Sequence, residues 1–137
     1  CGAWRGRTEP LWGSLPCDHH AIMEALLCLG RGRDERMAAA LRRMEEDLQS
    51  TPQGLAWRCI PDPATGFRGP GRKADCCPQV TLEALRVFSY LEGVARPKML
   101  PDGVRTALSL WRRRGNEKPY MFGHGLRFKT VKWPATW

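Results

Sequence analysis

Apolar side chains recur every three to four residues in four separate stretches of this chain, which is the spacing of amphipathic α-helices. Boundary signals support these stretches: Asp34 is a favoured N-cap, Pro78 a favoured first-turn residue and Gly115 a common stop. The predicted helices span about residues 18–29, 35–49, 78–92 and 103–114. The sequence therefore predicts an all-α protein made of two helical hairpins.

The two predicted hairpins are similar in sequence. Residues 23–26 (Met-Glu-Ala-Leu) correspond to residues 82–85 (Leu-Glu-Ala-Leu) at an offset of 59, and the same offset carries Cys17 to Cys76. The second helices correspond at an offset of 67. Repeats of this length, in which one helical pair cannot bury its apolar face alone, are typical of stacked αα-hairpins. We therefore expect the two hairpins to stack side by side.

The chain has 137 residues, the length of a single domain. Apolar residues make up 42% and charged residues 26%, and no stretch approaches the ~20 apolar residues of a membrane helix. The amino terminus shows no apolar signal core, so a cytoplasmic location is expected. Within the single domain, 1–137, the predicted parts are hairpin 1 (17–49), a connection (50–77), hairpin 2 (78–114) and a tail (115–137).

The connection and the tail do not follow the helical pattern. The connection is rich in Pro and Gly and exceeds the ~12–15 residues usual for structureless loops, so something should hold it in place. The tail is basic and aromatic and alternates loosely, which favours an extended, strand-like segment. Its aromatic rings could stack single-stranded bases, cover the end of the hairpin stack, or associate with further chain.

Six cysteines stand at positions 1, 17, 28, 59, 76 and 77. Cys28 lies among apolar residues of the first predicted helix, where a small buried thiol is expected. Cys17 precedes the first helix, and Cys76 and Cys77 precede the third. If the hairpins stack in parallel, these helix starts lie at one end, to which the connection carrying Cys59 returns. The expected cluster is Cys17, Cys59 and Cys76 or Cys77, with His19, His20, Asp75 and His124 as companions.

Three states of this cluster remain open. A Zn²⁺ ion would bind thiolates and an imidazole and would hold the connection. A disulfide would also hold it, although a reducing compartment keeps thiols free. The third possibility is free thiols at the helix ends, because the sequence has no local Cys-x-x-Cys. Of the two histidines in the first turn of the first helix, His19 and His20, at least one is then expected in solvent. The candidate metal ligands are Cys17, Cys59, Cys77, His20, Asp75 and His124.

The chain carries 22 Lys and Arg against 14 Asp and Glu, a net charge of +8. The planar guanidinium group of Arg can donate paired hydrogen bonds to phosphate and carboxylate groups, which favours an anionic partner. The Arg and Lys residues are, however, spread along the chain, and this favours a bias in amino-acid composition. A Gly-rich loop offers a local candidate for anion binding through Arg68, Arg72 and Lys73, although no predicted strand precedes it as in a P-loop. Nucleic-acid binding is an alternative for which a basic pI is only the first requirement.

Two short motifs carry a resemblance to a known superfamily. Trp57-Arg58-Cys59 precedes a Gly/Pro-rich loop, and Cys77-Pro78 leads into the Thr-Leu-Glu-Ala-Leu run of residues 81–85. In these features the chain resembles the α/α-toroid superfamily of terpenoid and squalene cyclases and protein prenyltransferase β subunits, and most of all small prenyltransferase/squalene-cyclase-like repeat proteins. The resemblance covers about residues 12–137 and implies an arc of a toroid, because a closed ring needs more than two hairpins.

The resemblance also implies possible chemistry. Prenyltransferases hold zinc through Asp-x-Cys and a distant His, and Asp75, Cys77 and His124 are similar to that set. Class II cyclases use an Asp-rich acid motif that this chain lacks. We therefore expect a binding or scaffold domain for an anionic or isoprenoid diphosphate ligand, with a possible zinc staple, that does not catalyse a reaction alone. The alternatives are a zinc-dependent isoprenoid-processing enzyme and a nucleic-acid-binding module.

Overall fold

The computed structural model describes residues 15–63, 74–91 and 97–113, which form four helices and one small sheet. The helices are α1 (Pro16–Cys28), α2 (Glu35–Glu46), α3 (Pro78–Ser89) and α4 (Leu100–Arg112), and the strands are β1 (Leu48–Thr51) and β2 (Gly54–Trp57). The prediction of a mainly helical protein is confirmed, and a two-stranded sheet is added to it. Within the described ranges, no helix is long and apolar enough to cross a membrane. The predicted tail lies outside the described residues.

Local signals explain where the helices begin. The side chain of Asp34 accepts a hydrogen bond from the Arg36 N–H at 2.9 Å, so it caps α2 as predicted. Proline occupies the first turn of α1, α3 and α4, where its missing N–H costs no helical hydrogen bond. For this reason α4 begins at Leu100, before Pro101, rather than after Asp102 as predicted.

The predicted end of α2 at Gln49 is wrong, because the chain leaves the helix at Glu46 to form β1. This strand pairs antiparallel with β2, with Leu48 opposite Trp57 and Thr51 opposite Gly54. Gly54 has a φ of 127°, a conformation that other residues rarely adopt. The β-hairpin lies within the predicted connection and fixes its first part.

α1 and α3 lie side by side and run parallel. At their amino-terminal ends, the Cys17 and Cys77 thiols interact electrostatically. Farther along, Arg86 Nη2 lies 2.7 Å from Glu24 Oε1. At their carboxy-terminal ends, Cys28 Sγ lies 3.2 Å from the Tyr90 hydroxyl oxygen. The starts of α1 and α3 therefore lie at the same end of the molecule.

Trp57 joins the elements of the core. Its indole Nε1–H donates to the Met44 carbonyl oxygen of α2 at 2.7 Å, and its ring lies 5.9 Å from that of Phe88 in α3. A Cβ atom on Gly103 of α4 would lie 3.3 Å from Trp57 Cζ3, so the absence of a side chain lets α4 approach closely. Trp57 is among the largest fully buried side chains of the described residues.

Several apolar residues predicted to be buried are exposed instead. In α4 the exposed residues are Val104, Leu108 and Trp111, whereas Gly103, Thr106 and Leu110 face the interior. The reason is that α4 packs on β2, an element that the sequence pattern did not indicate. Ile22 of α1 and Leu29, the C-cap of that helix, are exposed as well.

The sequence similarity between the two hairpins does not extend to which side chains are buried. The offsets pair the buried Met23 with Leu82, which is 54% exposed, and the buried Met44 with Trp111, which is 55% exposed. The two hairpins therefore use different faces of their helices, and the toroidal arrangement remains an expectation from the resemblance.

Candidate functional site

Three cysteine thiols from three different segments lie at the end where α1 and α3 begin. Cys17 is the second residue of α1, and Cys77 is the N-cap of α3. Cys59 follows β2 by two residues. The Cys77 N–H donates to the Trp57 carbonyl oxygen at 2.9 Å, which holds the end of β2 against the start of α3. Local backbone geometry thus brings together residues that are far apart in the chain.

The three thiols influence one another electrostatically. Cys77 acts on both Cys59 and Cys17, and Cys17 also acts on Cys59. Burial, followed by the nearby Cys77 and Cys17, raises the pKa of the Cys59 thiol to about 11. Burial and then the charge of Asp18 raise the pKa of Cys17. All of these thiols are therefore protonated at neutral pH without a cation.

Cys77 is the sulfur best placed to carry a negative charge. Burial raises the pKa of its thiol, and only 5% of the residue is exposed. The pKa is lowered in turn by the backbone N–H groups of Val80 and Gln79 at the start of α3. A helix amino terminus favours a thiolate for the same reason that it favours other anions.

His20 lies one helical turn beyond Cys17 on α1, so their side chains project from the same side of the helix. The residue is only 4% exposed, and its ring Nδ1 is buried without a hydrogen-bond partner. Burial lowers the pKa of His20 to about 4, although the Val80 backbone opposes the shift. The ring is therefore neutral at pH 7, and a neutral imidazole nitrogen is a common metal ligand.

The expectation of a solvated first-turn histidine is therefore wrong, because His20 is buried and His19 is half-buried. The expectation of a buried Cys28 is also wrong, since its thiol is exposed and hydrogen-bonds to the Tyr90 hydroxyl. Both misplacements follow from the face that α1 turns toward α3.

Asp75 and Cys76 belong to a different environment. The Gln53 side chain, in the β-turn, donates to Asp75 Oδ1 at 3.0 Å and accepts from the Cys76 N–H at 3.1 Å. Cys76 is buried with Ala56 and Leu110, and burial, then Cys77, raises the pKa of its thiol to about 12. Of the two adjacent cysteines, Cys77 is thus the one in the thiol cluster.

Glu83 is a member of this region that the sequence analysis did not identify. Its charge acts on both Cys17 and Cys77, and its Oε2 is buried without a hydrogen-bond partner. Its other oxygen accepts from Gln79 Nε2 at 2.8 Å. No spacing in the sequence could indicate this, because the environment of Glu83 depends on how α1 packs against α3.

Among residues 15–63, 74–91 and 97–113, no three His, Cys, Asp or Glu side chains are arranged to hold a metal ion as they stand. The described cysteines are free thiols, so no disulfide joins them. The donors suit zinc in type, since structural zinc sites are built from Cys and His side chains. The predicted ligand His124 and the predicted anion-binding residues Arg68, Arg72 and Lys73 lie outside the described residues.

Comparison with known proteins does not reveal a family. No family model matches the chain, and no solved structure matches it. The chain is 33% identical to human cytochrome P450 26C1 over 86 residues, which covers 59% of this chain and 16% of that protein. A match to so small a share of the longer protein does not indicate its activity here, and it does not bear on the resemblance to prenyltransferase-like proteins.

Proposed function

We propose that this chain is a helical scaffold domain stapled by a structural zinc ion, with Cys17, His20, Cys59 and Cys77 as ligands. The observation that carries the proposal is the convergence of three thiols from three separate segments at the amino ends of α1 and α3. Three sulfurs and one imidazole nitrogen are a common ligand set of structural zinc sites.

The electrostatics of the site support a cation. Burial keeps the thiols protonated, and Glu83 places an unpartnered carboxylate oxygen beside them. Zinc binding displaces thiol protons, and its charge offsets the cost of burying the resulting thiolates. The start of α3 stabilises a thiolate at Cys77 further. Zinc binding would require these side chains to turn toward a common centre, since no three of the described ligands are arranged around one point as they stand.

The ion would link three parts of the chain. It would join α1, α3 and the segment that leaves β2. The connection, residues 50–77, would then be attached at Cys59 and again at Cys77. Structural zinc sites in small domains have apparent binding free energies of about 10–16 kcal/mol, as large as the net stability of about 5–15 kcal/mol of a whole domain. Zinc would therefore decide whether this end of the molecule is ordered.

Elemental analysis of the purified, reduced protein tests the proposal. We expect about one zinc ion per chain, and Co²⁺ substitution should give the sulfur-to-metal charge-transfer band of a thiolate site. Cys59→Ser and Cys77→Ser should lose the metal, whereas Cys28→Ser and Cys76→Ala, which change cysteines outside the cluster, should retain it. Less than roughly a tenth of an equivalent of zinc in the unmodified protein would contradict the proposal.

A surface groove supports a second proposal, binding of an isoprenoid diphosphate. The open groove of about 560 Å³ lies at the start of α4 and combines an apolar floor with two cations. Its lining residues are Pro97, Lys98, Leu100, Pro101, Val104 and Arg105. An apolar floor suits an isoprenoid chain, and cations at its edge suit the diphosphate.

Calorimetry with farnesyl diphosphate tests this second proposal. Lys98→Gln should weaken binding about tenfold, because it removes a charge-assisted contact. Arg112→Gln, which makes the same change of net charge away from the groove, should leave the affinity unchanged. Equal effects of the two variants would indicate attraction by net charge rather than a site.

A further inference from the structure

The face of α4 that points away from the core is apolar. The buried residues Gly103, Thr106 and Leu110 lie on one side of the helix, which packs on α3 and β2. The other side exposes a row of apolar residues, which we call the α4 outer face: Pro101, Val104, Leu108 and Trp111. The last three are 40%, 50% and 55% exposed. Large apolar side chains that adjoin one another on a surface commonly mark a binding site, whereas single ones are ordinary.

The spacing of the α4 outer face suits a second helix. Its residues recur at intervals of three, four and three, which are the intervals between the a and d positions of a heptad repeat. Such a row forms a narrow seam, along which a partner helix can pack its own apolar side chains. Pro101 and Val104, the first two residues of the row, also line the open groove at the start of α4. This recess favours an inserted side chain over a flat bilayer surface, because a flat surface cannot fill it.

Cations border the α4 outer face along one side. Arg105 and Arg112 are exposed and stand one heptad apart, at the e positions beside the row. Arg105 also pairs with Asp102 one turn away, but its side chain remains 73% exposed, and exposed ion pairs of this kind contribute little. Charges at e and g positions select the partner of a helix seam. A helix with carboxylates at these positions would therefore complement α4.

We propose that the α4 outer face is a docking surface for an acidic amphipathic helix of a partner protein. Aliphatic side chains of that helix pack on the row, and its carboxylates meet Arg105 and Arg112. A second copy of the chain has the wrong charge, since each copy carries +8. So do residues 115–137, which follow α4 and contain four Lys and Arg against a single Glu. Leu108 and Arg112 lie outside both the thiol cluster and the groove, so this inference does not depend on either proposed function.

Titration calorimetry of the full chain with a synthetic helical peptide tests the proposal. The peptide has about three heptads, with leucine at a and d and glutamate at e and g, where like charges keep it from pairing with itself. We expect this acidic peptide to bind, and to bind more weakly as the salt concentration rises. A matched peptide with lysine in place of every glutamate should not bind.

Matched variants locate the binding surface. Leu108→Ser should weaken binding of the acidic peptide about tenfold, because it truncates the centre of the row. Ile22→Ser changes an equally exposed residue on α1 and should leave the affinity unchanged. Arg112→Glu should weaken binding of the acidic peptide and allow the lysine peptide to bind. Arg42→Glu makes the same change of charge at an exposed position of α2 and should do neither.

Several outcomes would overturn the proposal. Binding of neither peptide, or equal binding of both, would remove the acidic helix as the occupant. A dimer that sedimentation detects and Leu108→Ser dissociates would make the α4 outer face an interface between copies of this chain. Binding to phosphatidylserine vesicles that depends on Leu108, without binding of the acidic peptide, would make it a membrane-binding surface instead.

Discussion

At the scale of single residues, Trp57 is the side chain on which most of the packing depends. We predict that Trp57→Phe destabilises the protein by about 2–4 kcal/mol, because it leaves the buried Met44 carbonyl without its donor and opens a cavity. Urea unfolding followed by circular dichroism measures the change. Trp111→Phe is the matched control on an exposed position and should change stability by less than about 0.5 kcal/mol. Equal losses in the two variants would contradict this account of the core.

Asp47, at the C-cap of α2, gives a pH-dependent prediction. Burial raises the pKa of its carboxyl, although the neighbouring Arg43 opposes the shift. The folded state therefore binds its proton more tightly than the unfolded state does, so the ionised carboxylate destabilises the fold above that pKa. Asp47→Asn should raise the melting temperature at neutral pH. This gain should shrink as the pH falls through the raised pKa and vanish below the unfolded value; a constant gain at every pH would contradict the prediction.

At the scale of elements, the β-hairpin packs closely against α4 at Gly54, which lies beside Thr106. A Cβ atom on Gly54 would lie 2.5 Å from Thr106 Oγ1, and the φ of 127° disfavours any side chain. We predict that Gly54→Ala costs about 2–4 kcal/mol, from backbone strain and the clash together. Gly30→Ala is the control, because Gly30 also has a positive φ but nothing lies within 4 Å of its Cβ position.

A double variant separates the two causes. Adding Thr106→Ala to Gly54→Ala removes the clashing hydroxyl and leaves the backbone strain, so part of the lost stability should return. Denaturant midpoints of the single and double variants measure this coupling. If the two losses simply add, β2 and α4 do not meet at this point.

The elements also show what local patterns could and could not predict. The N-cap Asp34 and the proline at the start of α3 are local signals, and α2 and α3 begin where these signals place them. The β-hairpin was not predicted, because its strands are four residues long and its turn lies in a Pro- and Gly-rich segment that reads as a loop. The buried face of α4 was mistaken for the same reason, since it is set by contact with β2.

At the scale of the whole molecule, the candidate site depends on the direction of two helices that are far apart in sequence. The parallel course of α1 and α3 places Cys17 and Cys77 at one end, as the sequence predicted on the condition that the hairpins stack in parallel. Which of Cys76 and Cys77 joins the cluster could not be predicted, because Gln53 decides it by holding the Cys76 N–H and the Asp75 carboxylate. The burial of His20 and the position of Glu83 likewise arise from packing between α1 and α3.

The proposed zinc site makes a prediction about the stability of the entire domain. Zinc that binds the folded but not the unfolded chain stabilises it by about 2.7 kcal/mol at a free concentration of 100 times Kd, so the melting temperature should rise with zinc and fall with a chelator. Mg²⁺ and Ca²⁺ prefer oxygen ligands and should have no effect, which makes them the matched ion controls. The zinc effect should weaken as the pH falls, because protons compete for the thiolates. Cys59→Ser should abolish the zinc response and Cys28→Ser should leave it intact, so a zinc response that survives Cys59→Ser would place the metal elsewhere in the chain.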